Sequence, residues 1–398
     1  MNNTIKLAVA AALLAGASSA NAGIMIPAGD WTLDIGGIVN AYYTSTRATG
    51  SGAVFGYSGF TTINDTGTKT ASNITTGLLP NYLSVSGKTR QNDLDVGFTI
   101  SINPGASTTT AGIQSFNNGN GARQENRQAF LTFGDKSWGS IKLGKDLGIY
   151  ASDAILNDMT LLGVGAGAGG LAGNDTTLGR IGHGFMYADW KAQVAYSSPN
   201  WNGFSFTAGV TQAWNGSGNT QRGGSEPAYE GKASYEWAGD VGGKVWVSGI
   251  SQEMKTFNDN ATSFDIGATV NVAGFGLTGY YYTGEGIGQT VQFNGGYDNL
   301  GRSRDSDGYY VQGTYTLPGV GTKLGVSWGE SNLDDNGALD NLTGDVTDRM
   351  WTIGAYHPIT KHLNLVAEYS DVKHKVSDPV ASTNGKSKTI SLGAILFF

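Results

Sequence analysis

The groups in this chain best suited to chemistry are few: four histidines, no cysteine, and charged side chains gathered around one long loop. His183, His357, His362 and His374 show no H-E-x-x-H or other metal-ligand spacing. Without cysteine there is no thiolate nucleophile and no thiolate metal site. There is no G-x-S-x-G, and the Gly-rich stretch 164–170 lacks the Lys-Ser/Thr pair of a phosphate cradle. Neither an enzyme nor a cofactor is expected. Among the charged side chains on and around the loop 146–182 are Asp153 and Asp158 inside it, Arg127 and Lys145 before it and Arg180 near its end. Opposed charges of this kind can shape the field around a passing solute without making or breaking a bond. Each also has a plainer use. The two carboxylates could cap their own backbone, and Arg180 could be an ordinary rim charge.

The elements that must position these charges are strands. Residues 1–22 read as a cleaved export signal: Lys6 gives a positive flank, 7–16 is apolar, and Ala20-Asn21-Ala22 is a cleavage site. That apolar run falls short of the roughly 20 residues a spanning helix needs. The mature unit is therefore 23–398. Glycine is 62 of 398 residues and proline 8, yet there are 9 Trp, 18 Tyr and 15 Phe, which argues against disorder. A hydrophobic fraction of 39% suits strands that are apolar on one face only. The net charge of −7 argues against nucleic acid as a partner.

Sixteen segments alternate as half-buried strands should, from 30–46, where Leu33, Ile35, Gly37, Val39 and Ala41 share a face, to 387–398. Short turns such as 91–93, 135–138 and 239–242 alternate with longer polar loops. The expected fold is all-β: a transmembrane antiparallel 16-stranded β-barrel, with aromatics such as Tyr42, Tyr43, 280–282, Tyr309, Tyr310, Trp138, Trp201 and Trp351 near strand ends. The chain ends on Phe398 in an alternating strand that has to meet the first one, since an open edge is not viable in lipid. In the second strand Leu79, Leu83 and Val85 set the lipid face, which places Lys88 and Arg90 in the lumen as vestibule residues. The loop 146–182, of 37 residues, is apolar over 152–162 and almost all Gly and Ala over 163–173. It is expected to fold inward, where small residues let backbone approach backbone, and to narrow the lumen to an eyelet.

Several motifs in order resemble general bacterial porins of the sixteen-stranded trimeric kind, closest to those of beta-proteobacteria. They are Asn126-Arg127-Gln128-Ala129-Phe130, the run 138–145 from Trp138 to Lys145, Asp153-Ala154, Asp158-Met159, Leu178-Gly179-Arg180-Ile181, and Phe398. The resemblance implies a water-filled outer-membrane channel for passive diffusion of small hydrophilic solutes and ions, assembled as a homotrimer among outer-membrane lipid and lipopolysaccharide. It implies an eyelet lined by Arg127, Lys145, Asp153, Asp158 and Arg180. Alternation alone puts Arg127 outward with Ala129 and Leu131; only the resemblance puts it in the lumen. It also implies that Gly393, Leu396 and Phe398 are read by the barrel assembly machinery, and that the loop 105–121 latches a neighbour. Three positions depart from the enterobacterial pattern: Leu162 replaces a loop carboxylate, and Gly37 and Tyr82 replace wall cations. The expected eyelet is weakly polarised and tilts toward anions. External acids at Asp305, Asp307, Asp334 and Asp335 are expected to hold bridging cations or nothing. The rival reading is a solute-specific channel with a binding site at the eyelet, for which Tyr82 is the one hint.

Overall fold

A period-two pattern with one apolar face makes strands that pair edge to edge until the sheet closes. The computed structural model describes residues 23–50, 70–106, 124–167, 176–214, 226–254, 259–337, 340, 342, 344–377 and 382–398. The export signal 1–22 and most of the loop 105–121 lie outside them. Among the described residues the barrel strands are β1 (Trp31–Gly50), β2 (Thr70–Thr75 and Tyr82–Gln91), β3 (Leu94–Pro104), β4 (Gln124–Glu125 and Ala129–Asp135), β5 (Gly139–Leu147) and β6 (Trp190–Ser197). They continue through β7 (Phe204–Thr211), β8 (Ala228–Trp237), β9 (Val241–Met254), β10 (Asp259–Val272) and β11 (Phe275–Glu285). The last are β12 (Asp305–Thr316), β13 (Lys323–Leu333), β14 (Asp345–Pro358), β15 (Leu363–Ser377) and β16 (Thr383–Phe397). Each pairs antiparallel with the next, and β16 returns to β1 with Ala394 opposite Ala41. The result is a closed 16-stranded antiparallel β-barrel. No helix among the described residues is long and apolar enough to cross a membrane.

Two features of the wall escaped the alternation. A short strand, Ile24–Ala28, pairs with the beginning of β1, Ala28 opposite Trp31 and Ile24 opposite Ile35. It continues the line of β16 beyond Phe398. The second strand, expected as unbroken from 79, is interrupted at 76–81, and Leu78 and Leu79 are buried rather than lipid-facing. Asn40 mends the gap. Its backbone N–H donates to Asn81 Oδ1 at 2.6 Å, its side-chain amide donates to the Leu79 carbonyl at 3.0 Å, and its Oδ1 accepts from Gly77 N–H at 2.8 Å. A side-chain amide carries both a donor and an acceptor and can replace a missing ladder rung.

The tightest turns are as short as antiparallel strands allow. Asn92 and Asp93, at φ 48° and 61°, join β2 to β3, and Ala273 and Gly274, at 49° and 87°, join β10 to β11. Positive φ at both central positions matches the twist of the flanking strands.

The two faces of the wall are inverted relative to a soluble protein. Val39, Ile100, Ile266, Leu277, Val311, Ile353 and Leu392 are exposed, while Ser101, Asn103, Ser248, Thr352, Glu368 and Ser391 are buried. Apolar exposure around a whole sheet fits lipid as the outer solvent. The aromatic residues divide by the same alternation. Tyr43, Tyr281 and Trp351 face out, whereas Tyr42, Tyr280, Tyr282 and Tyr310 are buried inside. Adjacent tyrosines cannot all join a belt, because side chains alternate. The expected start of the sixth strand at His183 is likewise corrected. β6 begins at Trp190, and His183 is buried in the preceding loop with Nδ1 2.9 Å from the Ile181 carbonyl.

The ring closes on Phe398. Its N–H donates to the Gly37 carbonyl at 3.0 Å, and its carbonyl accepts from Gly37 N–H at 2.8 Å. A Cβ at Gly37 would lie 2.3 Å from the Tyr82 carbonyl and 2.7 Å from the Phe398 ring, so only glycine fits there. Phe398→Asp removes the ring contact and adds charge at the closure. It is expected to destabilise the barrel by about 1–3 kcal/mol. Urea unfolding in lipid vesicles reads this, and a midpoint equal to wild type would contradict it.

Candidate functional site

The loop after β5 contributes a five-residue helix, α1 (Ser152–Leu156), and a 3-10 turn (Met159–Leu162). Two glutamates pin it to the inner wall, each accepting two consecutive backbone N–H groups. Glu230 on β8 accepts from Ile149 and Tyr150, both at 2.8 Å. Glu368 on β15 accepts from Val164 at 2.7 Å and Gly165 at 2.9 Å. Between these anchors Tyr150 meets Ser263 at 2.6 Å, the Tyr310 hydroxyl donates to the Ala154 carbonyl at 3.0 Å, and the Tyr42 hydroxyl donates to the Leu162 carbonyl at 2.7 Å. These partners lie on the face of the wall opposite the exposed apolar one. Ala154, Ile155, Met159, Leu161 and Val164 join a buried cluster with Trp246, Tyr280, Tyr282, Tyr310 and Tyr356.

Glu230 is fully buried and fully supplied with donors: besides the two N–H groups it accepts from Lys191 Nζ at 2.6 Å and Thr211 Oγ1 at 2.8 Å. Lys191 also donates to Gln292 Oε1 at 2.6 Å. A buried ion pair is tolerable when its remaining donors and acceptors are matched in this way. Gln292 in turn donates to the Tyr187 and Ala188 carbonyls, which ties the loop between β11 and β12 to the segment leading into β6.

Asp153 stands between two lysines. It is 2.6 Å from Lys244 on β9 and 3.1 Å from Lys232 on β8, and Lys244 lies 3.2 Å from Glu236. Burial works to raise the Asp153 pKa, but the two ammonium groups outweigh it and hold the carboxyl below its usual range. Asp153 caps no helix; Ala151 occupies the N-cap of α1. Asp158 does cap one, accepting from Thr160 N–H at 3.0 Å at the start of the 3-10 turn. Burial dominates there, over the opposing pull of Arg180 and the Thr160 bonds, and pushes the carboxyl up.

The remaining expected residues divide. Arg180 is brought near Asp158 but is fully buried, donating to the Met350 carbonyl at 2.9 Å, the His183 carbonyl and Ser327 Oγ. Arg127 is 4% exposed, paired with Glu125 at 2.9 Å and packed over the Trp190 ring. Neither faces Asp153. Lys145 is corrected outright. It lies on the outward face opposite Ala129 and donates to the Asn126 carbonyl at 2.9 Å, because an odd step from lumenal Lys142 reverses the side. Lys88 lines the lumen. Arg90 sits at the rim instead, 2.9 Å from Asp95 and 2.8 Å from Asp135.

A cavity of about 1780 Å³ runs inside the barrel from the short turns to the 152–162 segment. Tyr82, Asn103, Gln128, Phe130 and Trp190 on β2–β6 line the side opposite the anchored loop. Lys88, Lys142, Lys232, Lys244 and Lys323 share it with Asp34, Asp146, Asp153, Asp158, Glu236 and Asp240. Lys142 is ion-paired to Asp146, four residues on. The lysines at 142, 232 and 244 were not anticipated, although counting in twos from outward Val245 and Val247 places Lys244 inward.

A family model described as Gram-negative porin matches residues 8–377. No curated protein matches the chain. Among solved structures, an anion-selective porin from Comamonas acidovorans is similar at 14% identity, covering 92% of this chain and 100% of that one, with a TM-score of 0.60. The outer membrane channel DcaP of Acinetobacter baumannii is similar at 19% identity, with coverage of 95% and 100% and a TM-score of 0.64. OmpF of Salmonella typhi, in complex with daunomycin, is similar at 16% identity, with coverage of 93% and 100% and a TM-score of 0.56. At these identities the likeness is one of fold.

Glu368→Ala would remove the acceptor of two loop N–H groups and of the Tyr356 hydroxyl. Hydrogen bonds to a charged group contribute about 1.5–3 kcal/mol each, so amide exchange at Val164 and Gly165 is expected to accelerate by at least about tenfold. Exchange followed by mass spectrometry reads this, and unchanged protection would show that the anchor is dispensable.

Proposed function

We propose, for a chain that belongs to the Gram-negative porin family and forms an outer-membrane channel for passive diffusion, that the segment 149–167 is its constriction. Solutes would pass between that segment and the β2–β6 wall. The observation that carries this reading is the one-sided anchoring of the loop. Its bonds run to β8, β10, β12, β15 and β1, and the cavity remains open beside Tyr82, Gln128 and Trp190. The cargo is small hydrophilic solutes and ions, moved down their gradients without catalysis.

Charge in the lumen is nearly balanced. Asp153 offsets Lys232 and Lys244, and Asp146 offsets Lys142. Lys88 and Lys323 line the cavity without an ion pair among the described residues, and so do Asp34, Asp158 and Asp240, so the wall gives neither sign of ion a clear advantage. The eyelet charges are therefore Asp153 with Lys232 and Lys244; Arg127, Asp158 and Arg180 hold the surrounding backbone and side chains in place.

Residues 1–22 serve as the cleaved export signal, and Gly393, Leu396 and Phe398 as the signature read by the assembly machinery. The chain assembles as a homotrimer, a reading supported by one similar structure, OmpT of Vibrio cholerae, described in a trimer form. A solute-specific channel is the second reading, favoured by Tyr82, Phe130 and Trp190 on the open wall, with Lys142 Nζ 4.9 Å from the Phe130 ring centroid.

Single-channel recording separates the two. A general pore gives conductance that rises in proportion to salt, whereas a specific one saturates or is blocked by its solute. Asp153→Asn leaves Lys232 and Lys244 uncompensated. A unit charge about 8 Å from a permeating ion in water is worth about 0.5 kcal/mol, with opposite sign for anion and cation, so the anion-to-cation permeability ratio is expected to rise about fivefold. A zero-current potential in a salt gradient unchanged from wild type would remove Asp153 from the ion path.

A further inference from the structure

The loop between β11 and β12, residues 286–304, does not stay over its own strands. Residues 286–290, Gln292 and Phe293 are buried, and their bonds reach the segment leading into β6, with β7 to β10 lying between along the ring. Val291 bridges to Tyr187, the Tyr187 N–H donates to the Thr290 carbonyl at 3.0 Å, and the Gln292 amide donates to the carbonyls of Tyr187 at 3.0 Å and Ala188 at 3.3 Å. The loop is also fastened on its own side. The Gln289 amide donates to the Ser331 carbonyl on β13 at 2.7 Å. The buried Arg304 guanidinium donates to the Gly295 carbonyl at 2.6 Å and the Tyr297 carbonyl at 2.9 Å, and pairs with Asp340. A chain held at both ends across a space is a strap. It lies directly on the return limb of the loop after β5: a Cβ at Gly182 would stand 2.4 Å from Thr290 Oγ1.

Lys191 is where the strap meets the constriction. Its ammonium is fully buried, 2.6 Å from Gln292 Oε1 and 2.6 Å from Glu230 Oε1. It also stands 5.8 Å from the Phe293 ring centroid and 5.3 Å from that of Trp214. Half of this cage, Gln292 and Phe293, belongs to the strap. The other half belongs to β8 and to the chain after β7. A buried ammonium loses a great deal by leaving its oxygens and ring faces, so it holds the two halves in a fixed relation. Glu230 is the carboxylate that accepts the Ile149 and Tyr150 N–H groups. Hydrogen bonds therefore run without a gap from the strap through Gln292, Lys191 and Glu230 to the start of the segment 149–167, just before Asp153.

We propose that the loop 286–304 positions the constriction, with Gln292 and Lys191 as the positioning residues that pass its placement to Ile149 and Tyr150 and so to Asp153. The inference rests on the reading of 149–167 as the constriction. Two elements then hold that segment independently. Glu368 fixes its far end at Val164 and Gly165, and the strap, through Lys191 and Glu230, fixes its near end. Coupling of this kind needs a contiguous network and a direct measurement. The network is the chain of bonds above.

The test is amide exchange of the full-length protein in lipid vesicles, comparing wild type with Gln292→Leu, which keeps the bulk of the side chain and removes its donor and acceptor. Exchange is expected to quicken at Tyr187, and by on the order of tenfold at Ile149 and Tyr150, while Val164 and Gly165 exchange as in wild type. Faster exchange at Tyr187 alone would overturn the proposal, since the strap would have let go without moving the constriction. So would equal acceleration at Val164 and Gly165, which marks general loosening. Should Gln292→Leu not fold, Phe293→Leu removes only the strap's ring from the Lys191 cage. It is expected to speed exchange at Ile149 and Tyr150 by about threefold, and no change there would overturn the proposal. Planar-bilayer recording of Gln292→Leu separates the two readings. Brief closures several-fold more frequent than in wild type support both. An unchanged record beside accelerated exchange would remove 149–167 from the ion path and leave its coupling to the strap in place.

Discussion

A strand edge left open in hydrocarbon exposes unpaired N–H and C=O groups, each costing several kcal/mol. The pairing of β1 with β16 removes that edge, and the rest of the molecule depends on it. The closure is made of three pieces of chain. β16 pairs with the upper part of β1, Phe398 exchanges two hydrogen bonds with Gly37, and the strand Ile24–Ala28 takes over where the chain ends. Once the ring is closed, every side chain faces either lipid or lumen. The exposed apolar residues and the buried serines, threonines and carboxylates are two readings of one alternation.

Closure solves the problem of backbone in the wall and creates another inside it. The described residues of the segment 148–189 are mostly irregular, and their N–H groups cannot pair with a strand whose own groups are already in a ladder. Side chains from the inner face supply the acceptors instead. A carboxylate is the apt choice because its two oxygens can receive adjacent N–H groups and still accept more, as Glu230 does from Ile149, Tyr150, Lys191 and Thr211. Glu368 repeats the arrangement at the other end of the loop. Arg180 answers the opposite need by donating to carbonyls on β14 and in the loop itself. These charges hold the backbone of the segment against the inner wall.

Alternation made the barrel legible. It located sixteen strands and most hairpins, and the third strand came out as Leu94–Pro104, where it is observed. It did not reveal the break in β2, since the rung supplied by Asn40 is a tertiary substitution with no local signature. Nor did it reveal Ile24–Ala28, which is a strand because an edge of β1 was left for it. The charged site was less legible than the fold. Short motifs drew attention to Arg127 and Lys145, but a motif carries no side. Lys142 and Lys145 are three residues apart in one strand, so they point to opposite faces whatever their neighbours resemble. Asp153 was found from the sequence, whereas its partners Lys232 and Lys244 are about 80 to 90 residues away and meet it only through the curvature of the closed sheet.

The wall also sorts its cations by solvent. Inside, water fills the lumen and the loop can bring carboxylates to the lysines, so Lys142, Lys232 and Lys244 are matched by groups of the same chain. Lys88 and Lys323 line the same cavity without an ion pair among the described residues. Outside, Arg47, Lys373, Lys375 and Lys388 on the opposite face have no ion pair among the described residues. The same residue type meets loop and wall carboxylates on one face and is mostly without an ion pair among the described residues on the other. The difference follows from which side of the closed sheet can hold an irregular segment of chain.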